Sequence, residues 1–276
     1  MARIDAHQHF WQFDPVRDAW ITPDMAVIQR DFGPDDLLPL LQQHRLDGCV
    51  AVQASQSEQE TRFLLELAAA HSFIKGVVGW VDLQADDIAE RLAHFQHFEQ
   101  LKGFRHVLQG EADRALMLTP AFRRGIGELY RYGFAYDLLI LPDQLVYAAE
   151  LADAFSTQPF VVDHLAKPLI KAGTLEPWRQ QLRKLAAREN VLCKVSGLVT
   201  EADWHGWQPA DFRPYLDAAF EAFGPQRLMY GSDWPVCNVA GGYSRAFALL
   251  EDYLRSFSAA EQAHFWGDTA TQFYRL

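Results

Sequence analysis

Along this chain, short runs of β-branched and aliphatic residues alternate with longer stretches in which apolar residues recur every three or four positions. The short runs suit strands covered on both faces, and the longer ones suit helices with a single apolar stripe. Strands are predicted at residues 3–9, 48–54, 74–81, 102–108, 133–139, 160–164, 191–196 and 228–232, with helices at 58–71, 86–98, 120–132, 142–155, 175–188 and 209–223 between them. Several helical stretches open on proline or an acidic first turn, as helix N-termini do. Repeated βα units imply a parallel sheet, and eight of them in one chain of this size predict an α/β fold, a (β/α)8 barrel of TIM type.

No linker, low-complexity tract or charge block divides the 276 residues, so residues 1–276 read as one barrel domain. Hydrophobic residues at 49% and charged residues at 22% are enough to fill its core. The formal net charge of -11 argues against a nucleic-acid partner, because phosphate binding needs clustered Lys and Arg. No apolar run reaches membrane-spanning length, and the amino terminus lacks a basic region followed by an apolar stretch. Cys49, Cys193 and Cys237 are too few for a disulfide framework and form no Cys-x-x-Cys pair; buried free thiols in a cytoplasmic protein are expected. A small, compact substrate fits this balance better than a macromolecule.

Catalytic residues of a (β/α)8 barrel gather where strands end and βα loops begin. The polar residues of this chain fall there: His7 and His9, Gln53, Arg105 and His106, Asp137, Asp163 and His164, Lys194 and Ser196, and Asp233. Side chains alternate along a strand, so His7 and His9 project from one face. Two adjacent imidazoles in a core each need polar partners, and a metal or a reaction supplies them. Arg105 and His106 point to opposite faces, as do Asp163 and His164, so one of each pair enters the barrel and the parity stays open; Asp163 can instead tie its strand to a helix. Arg105 is read either as a grip on an oxyanion or hydroxyls or as half of an outer salt bridge, and Lys194 either as a proton donor or carbonyl electrophile or as a structural charge. Gln53, Gln56 and Glu60 surround the second βα loop, where they can hydrogen-bond hydroxyls, although Glu60 also suits a helix first turn. The first, seventh and eighth βα loops are long and carry Phe10, Trp11, Phe13 and Trp20, then Trp204, His205 and Trp207, then Trp234 with the flexible pair Gly241-Gly242. These rings either wall a pocket against a sugar-like ring or pack down as satellite clusters. There is no Gly-x-Ser-x-Gly elbow and no Gly-rich dinucleotide or phosphate loop.

Five stretches carry a resemblance: Ile4-Asp5-Ala6-His7-Gln8-His9-Phe10-Trp11, Gly103-Phe104-Arg105-His106, Asp163-His164-Leu165-Ala166-Lys167-Pro168, Lys194-Val195-Ser196-Gly197-Leu198 and Met229-Tyr230-Gly231-Ser232-Asp233-Trp234-Pro235. In this order they span almost the whole chain, which resembles the amidohydrolase superfamily and, within it, the sugar-lactonase branch of L-fuconolactonases and L-rhamnonolactonases. The resemblance implies a distorted barrel that opens small sugar lactones. Asp233 would activate water, and His7, His9 and His164 would polarise the carbonyl directly or through a metal. Gln53, Arg105, His106, Lys194, Trp11 and Trp204 would bind the substrate. Asp233 read alone is equally natural as a turn or N-cap residue before Trp-Pro. Metal-rich members of the superfamily carry a histidine on the fifth strand, where this chain has Phe134-Ala135-Tyr136-Asp137-Leu138. The expectation is therefore either no required metal or one weakly bound divalent ion held by His7, His9, His164 and Asp233, with zinc suited to that nitrogen and oxygen set. The alternatives are a metal-dependent decarboxylase or hydratase on the same scaffold, and a noncatalytic sugar-binding barrel.

Overall fold

A computed structural model describes residues 2–276. Eight parallel strands, β1 (Ile4–Gln8), β2 (Gly48–Val52), β3 (Ile74–Gly79), β4 (Leu101–His106), β5 (Ala135–Leu138), β6 (Phe160–Val162), β7 (Val191–Val195) and β8 (Leu228–Tyr230), pair in sequence order. A helix follows each one: α1 (Pro34–Gln43), α2 (Glu58–Ala70), α3 (Ile88–Phe95), α4 (Pro120–Arg131), α5 (Leu145–Ala154), α6 (Trp178–Ala186), α7 (Pro209–Phe223) and α8 (Tyr243–Leu254). The predicted (β/α)8 barrel is present. Each strand stops one or two residues before its expected end, and at β1, β2, β6, β7 and β8 the residues released include the polar His9, Gln53, Asp163 and His164, Ser196 and Ser232 of the mouth. The helix expected from residue 175 starts at Trp178, immediately after Pro177, whose ring and missing N–H do not suit a helix interior.

Alternate strand residues divide between two apolar layers. Cys49, Phe104, Tyr136, Phe160, Val195 and Leu228 face outward and pack against the helices. Ile4, Ala6, Val50, Val52, Val78, Ala135, Val161 and Met229 fill the interior together with Ala270 and Tyr274. The last two belong to α10 (Thr269–Tyr274), reached through α9 (Ala259–Ala263) and a π-helical turn (His264–Asp268), so the C-terminal helix plugs the barrel floor. Close packing of this kind leaves little tolerance for a change in volume.

The seam between β1 and β8 has no strand ladder. It is closed near the mouth by Asp233 N donating to His7 O (2.8 Å) and His9 N donating to Trp234 O (2.7 Å). Asp5 seals the seam from outside, accepting from Ser232 N (2.9 Å), His7 N (3.2 Å) and the Tyr243 hydroxyl (3.0 Å). The register of β1 against β2 shifts between Asp5 and Gln8. This bulge turns His7 inward directly after the inward-facing Ala6, and a Cβ on Gly231 would lie 2.6 Å from His7 Cβ, so only glycine lets β8 come this close. Among the described residues no helix is long and apolar enough to cross a membrane.

Candidate active site

Above the apolar interior lies a closed polar layer made of His7, Arg105, Asp137, Asp163 and Lys194, each at most 3% exposed. The Lys194 ammonium lies 2.5 Å from Asp137 Oδ2 and 3.1 Å from Asp163 Oδ1. Arg105 Nη1 donates to Asp163 Oδ2 at 3.0 Å, and its Nη2 donates to the Gln53 carbonyl. Burial alone would push the Asp163 carboxyl up, but Lys194, His7 and Arg105 outweigh it and hold that carboxyl well below the usual range. Asp137 goes the other way, to about 6: burial dominates, and the Asp163 charge adds to it against Lys194.

Four groups converge on the mouth side of this layer. His7 Nε2 is 3.3 Å from His9 Nε2, His9 Nε2 is 3.4 Å from Asp233 Oδ1, and both His7 Nε2 and His164 Nε2 are 3.9 Å from the same oxygen. Ligand atoms of His7, His164 and Asp233 all lie within 4.8 Å of one another. Burial drives His7 and His164 well below the ordinary imidazole range, so both rings are neutral near pH 7. For Asp233, burial pushes the carboxyl up, yet His164 and His9 outweigh it and keep it below the carboxylate range, hence ionised.

The donor set fits a cation. His9 Nδ1 lies 2.7 Å from the Val52 carbonyl, an obligate acceptor, so Nδ1 carries a proton and Nε2 of the neutral ring offers a lone pair. That lone pair faces the Asp233 carboxylate at 3.4 Å. Two acceptors at this distance need positive charge near them, either a proton on the ring or a metal ion. His164 Nδ1 is anchored on Ser196 Oγ at 2.8 Å, which aims its Nε2 at the same point.

Local backbone places these groups. His164, Leu165, Ala166 and Lys167 all have positive φ, between 52° and 55°, a left-handed turn that L-residues visit at a cost. It is held by Lys167 N bonding to His164 O (2.8 Å) and Trp178 Nε1 to Leu165 O (2.7 Å). Because of it, Asp163 and His164 both turn toward the barrel interior, which corrects the expectation that one of them faces a helix. A Cβ on Gly197, itself at φ +63, would stand 2.6 Å from His164 Nδ1 and 3.1 Å from Asp233 Oδ2.

The cluster opens into a cavity of about 290 Å³ walled by His9, Trp20, Arg105, His164, Lys167 and Asp233, with Gln109, Leu139 and Val236 from the fourth, fifth and eighth βα loops. The parity left open at Arg105 and His106 is resolved: Arg105 enters the barrel, while His106 turns out to Glu111 (2.8 Å) and Trp80 (3.3 Å). Other residues predicted to touch substrate stand outside the lining. Gln53 supports Arg105, and Lys194 is sealed beneath His7. Trp11 is 4% exposed and bonds Arg30 O, and Trp204 bonds Thr200 O. Trp20, 44% exposed, is the first-loop ring that does reach the cavity. Gln109 and Val236 carried no signal beyond their place in βα loops, whereas Lys167 lay within the Asp163–Pro168 stretch without being singled out.

Comparison with known proteins places the chain in a family. A family model described as amidohydrolase matches residues 4–276. An L-fucono-1,5-lactonase of Burkholderia multivorans is 45% identical, with 99% of this chain and 96% of the relative covered. An L-fucono-1,5-lactonase of Burkholderia ambifaria is 38% identical over the same shares. A crystal structure of an amidohydrolase from Burkholderia multivorans with bound zinc superposes with a TM-score of 0.96 at 44% identity, each chain covered in full. With the family match running through β1 to the C-terminal helix and the barrel reproduced, this chain belongs to the amidohydrolase family.

Proposed function

We propose that this protein hydrolyses the ester bond of small sugar lactones, with L-fucono-1,5-lactone as its first candidate substrate. One observation carries the reading: an ionised Asp233 stands among His7, His9 and His164 in the wall of a cavity at the barrel mouth, in a chain 45% identical to an L-fucono-1,5-lactonase. Asp233 takes a proton from water as the water oxygen attacks the lactone carbonyl. Arg105 and His164, both at the cavity wall, stabilise the oxyanion that forms. When the ring C–O bond breaks, protonated Asp233 returns its proton to the leaving ring oxygen, and the product is the open hydroxy acid. The half-exposed Trp20 offers an apolar face to the sugar ring, with Gln109 and Lys167 as partners for hydroxyls.

His7, His164 and Asp233, joined by His9, would hold one divalent ion, zinc by its ligand preference, which when bound supplies Lewis-acid polarisation of the carbonyl or of water. The rings bring neutral nitrogens to that site, since burial keeps His7 and His164 unprotonated.

The test is a panel of aldonolactones followed by acid release, with and without exhaustive chelation. Acceleration of L-fucono-1,5-lactone opening above its spontaneous rate is expected, reduced by chelator and restored by zinc. No acceleration for any lactone would sink the assignment, and full activity after verified metal removal would sink its metal part.

A further inference from the structure

Three of the four groups in the cluster bring lone pairs to it. The Val52 carbonyl, 2.7 Å away, keeps the His9 proton on Nδ1, so His9 Nε2 is bare. The Arg105 guanidinium has only protons to give, and its Nη1 lies 3.3 Å from His7 Nε2, which is therefore an acceptor as well. Asp233 is an ionised carboxylate. His164 is the exception. Its Nδ1 meets the Ser196 hydroxyl at 2.8 Å, and a hydroxyl both donates and accepts. Its Nε2 faces Asp233 Oδ1 at 3.9 Å, an oxygen that only accepts.

Ser196 is 2% exposed, and among the described residues His164 Nδ1 is the one hydrogen-bond partner of its Oγ. If Oγ accepted, its own buried proton would be left idle and His164 would add a fourth lone pair to the three; if it donates, neither happens. The ring then carries its proton on Nε2, at the cavity wall and too far from Asp233 for that carboxylate to consume it. We propose that Ser196 is a positioning residue: in the ion-free site it donates to His164 Nδ1 and so presents Nε2–H to the lactone carbonyl, and its hydroxyl turns to accept from Nδ1–H when an ion takes Nε2. The ring stays neutral, giving its Nε2 proton to water and taking one from water at Nδ1. His9, tied to a carbonyl, has no such freedom. This rests on the reading above of the cluster as a site that acts on a carbonyl and holds an ion, and not on which lactone it opens.

Selective ¹⁵N-histidine labelling at neutral pH reads the tautomers directly, with His164→Gln to assign the ring. His164 is expected as Nε2–H in the chelated protein and as Nδ1–H after zinc is added, with His9 as Nδ1–H in both states serving as internal reference. In chelated Ser196→Ala the bare His164 Nδ1 resonance should move downfield, because it no longer receives the hydroxyl proton. Zinc, titrated against a chromophoric chelator, should bind that variant about tenfold more weakly or worse, since the Nδ1–H of the ion-bound ring has lost its acceptor. A chelated wild-type His164 already protonated on Nδ1 overturns the proposal, as does a folded Ser196→Ala in which either the Nδ1 resonance or the zinc affinity is unchanged. Should the variant not fold, the wild-type tautomers in the two states decide alone. A wild-type chain that binds no zinc refutes the metal part of the function and the reversal with it, while the tautomer of the ion-free ring still decides whether Ser196 donates.

Discussion

Asp233 holds a left-handed backbone, φ 56, between β8 and the seam, and its N–H is bonded to His7 O. Asparagine tolerates that conformation better than most residues, so Asp233→Asn preserves shape and removes the base. Its kcat should fall roughly 10²–10⁴-fold with little change in thermal stability; near-normal turnover would return Asp233 to the role of a turn residue. Gly197 is a sharper steric test. Alanine there places a methyl against His164 and Asp233 at a positive φ, at a backbone cost of about 1 kcal/mol. Because it moves both groups, Gly197→Ala should lower kcat/KM about 10²-fold while the protein still unfolds cooperatively. Activity equal to wild type would show that the cluster relaxes around the methyl.

The first βα loop and the β1–β8 seam show how much an element decides. Trp11 and Trp20 are T-stacked at 6.0 Å, yet one is buried with its indole N–H satisfied and the other borders the cavity. Trp11→Ala should therefore cost about 3–5 kcal/mol of stability in urea unfolding, whereas Trp20→Ala should raise KM and leave stability nearly intact. The reverse pattern would exchange their roles. At the seam, burial lifts the Asp5 carboxyl from 3.8 to about 6, so the folded protein binds that proton more tightly than the unfolded chain does. The resulting stabilisation is full below the unfolded value and is lost as pH rises through 6. In chelated protein, the stability of wild type minus that of Asp5→Asn should accordingly fall between pH 4 and pH 7, by up to about 3 kcal/mol. Denaturant melts at several pH values would refute this if the difference stayed flat or grew.

At the scale of the molecule, the barrel is closed at both ends by different means. The mouth is built from βα loops, and the floor is filled from the C-terminal helix, whose Tyr274 reaches Asp137 in the polar layer. Tyr274→Phe removes that hydroxyl and leaves Asp137 with one fewer donor, a loss of about 1–3 kcal/mol for a buried group. Equilibrium unfolding measures it directly, and an unchanged midpoint would mean that Lys194 alone satisfies Asp137.

The alternation of apolar runs and amphipathic stretches was enough to determine the eight strands and six of the helices that follow them, because burial on both strand faces and on one helix stripe is a local demand of the sequence; α1 and α8, after the long first and eighth βα loops, were not among the helices it named. The same periodicity placed His7 and His9 on one face and put Arg105, His164 and Asp233 at the mouth, since a barrel sends strand ends to one rim. Only the tertiary structure decided what alternation leaves open. The bulge in β1 turns His7 inward after Ala6, and the left-handed turn after β6 overrides strand parity and brings His164 inward beside Asp163. Residues of one chemical type were likewise separated by contacts between distant segments: Trp20 from Trp11, Arg105 from His106, and Lys194 sealed beneath a site it does not line. Which face is inner, which ring is exposed and which charge meets which depends on neighbours far away along the chain, and these exist only once the barrel has closed.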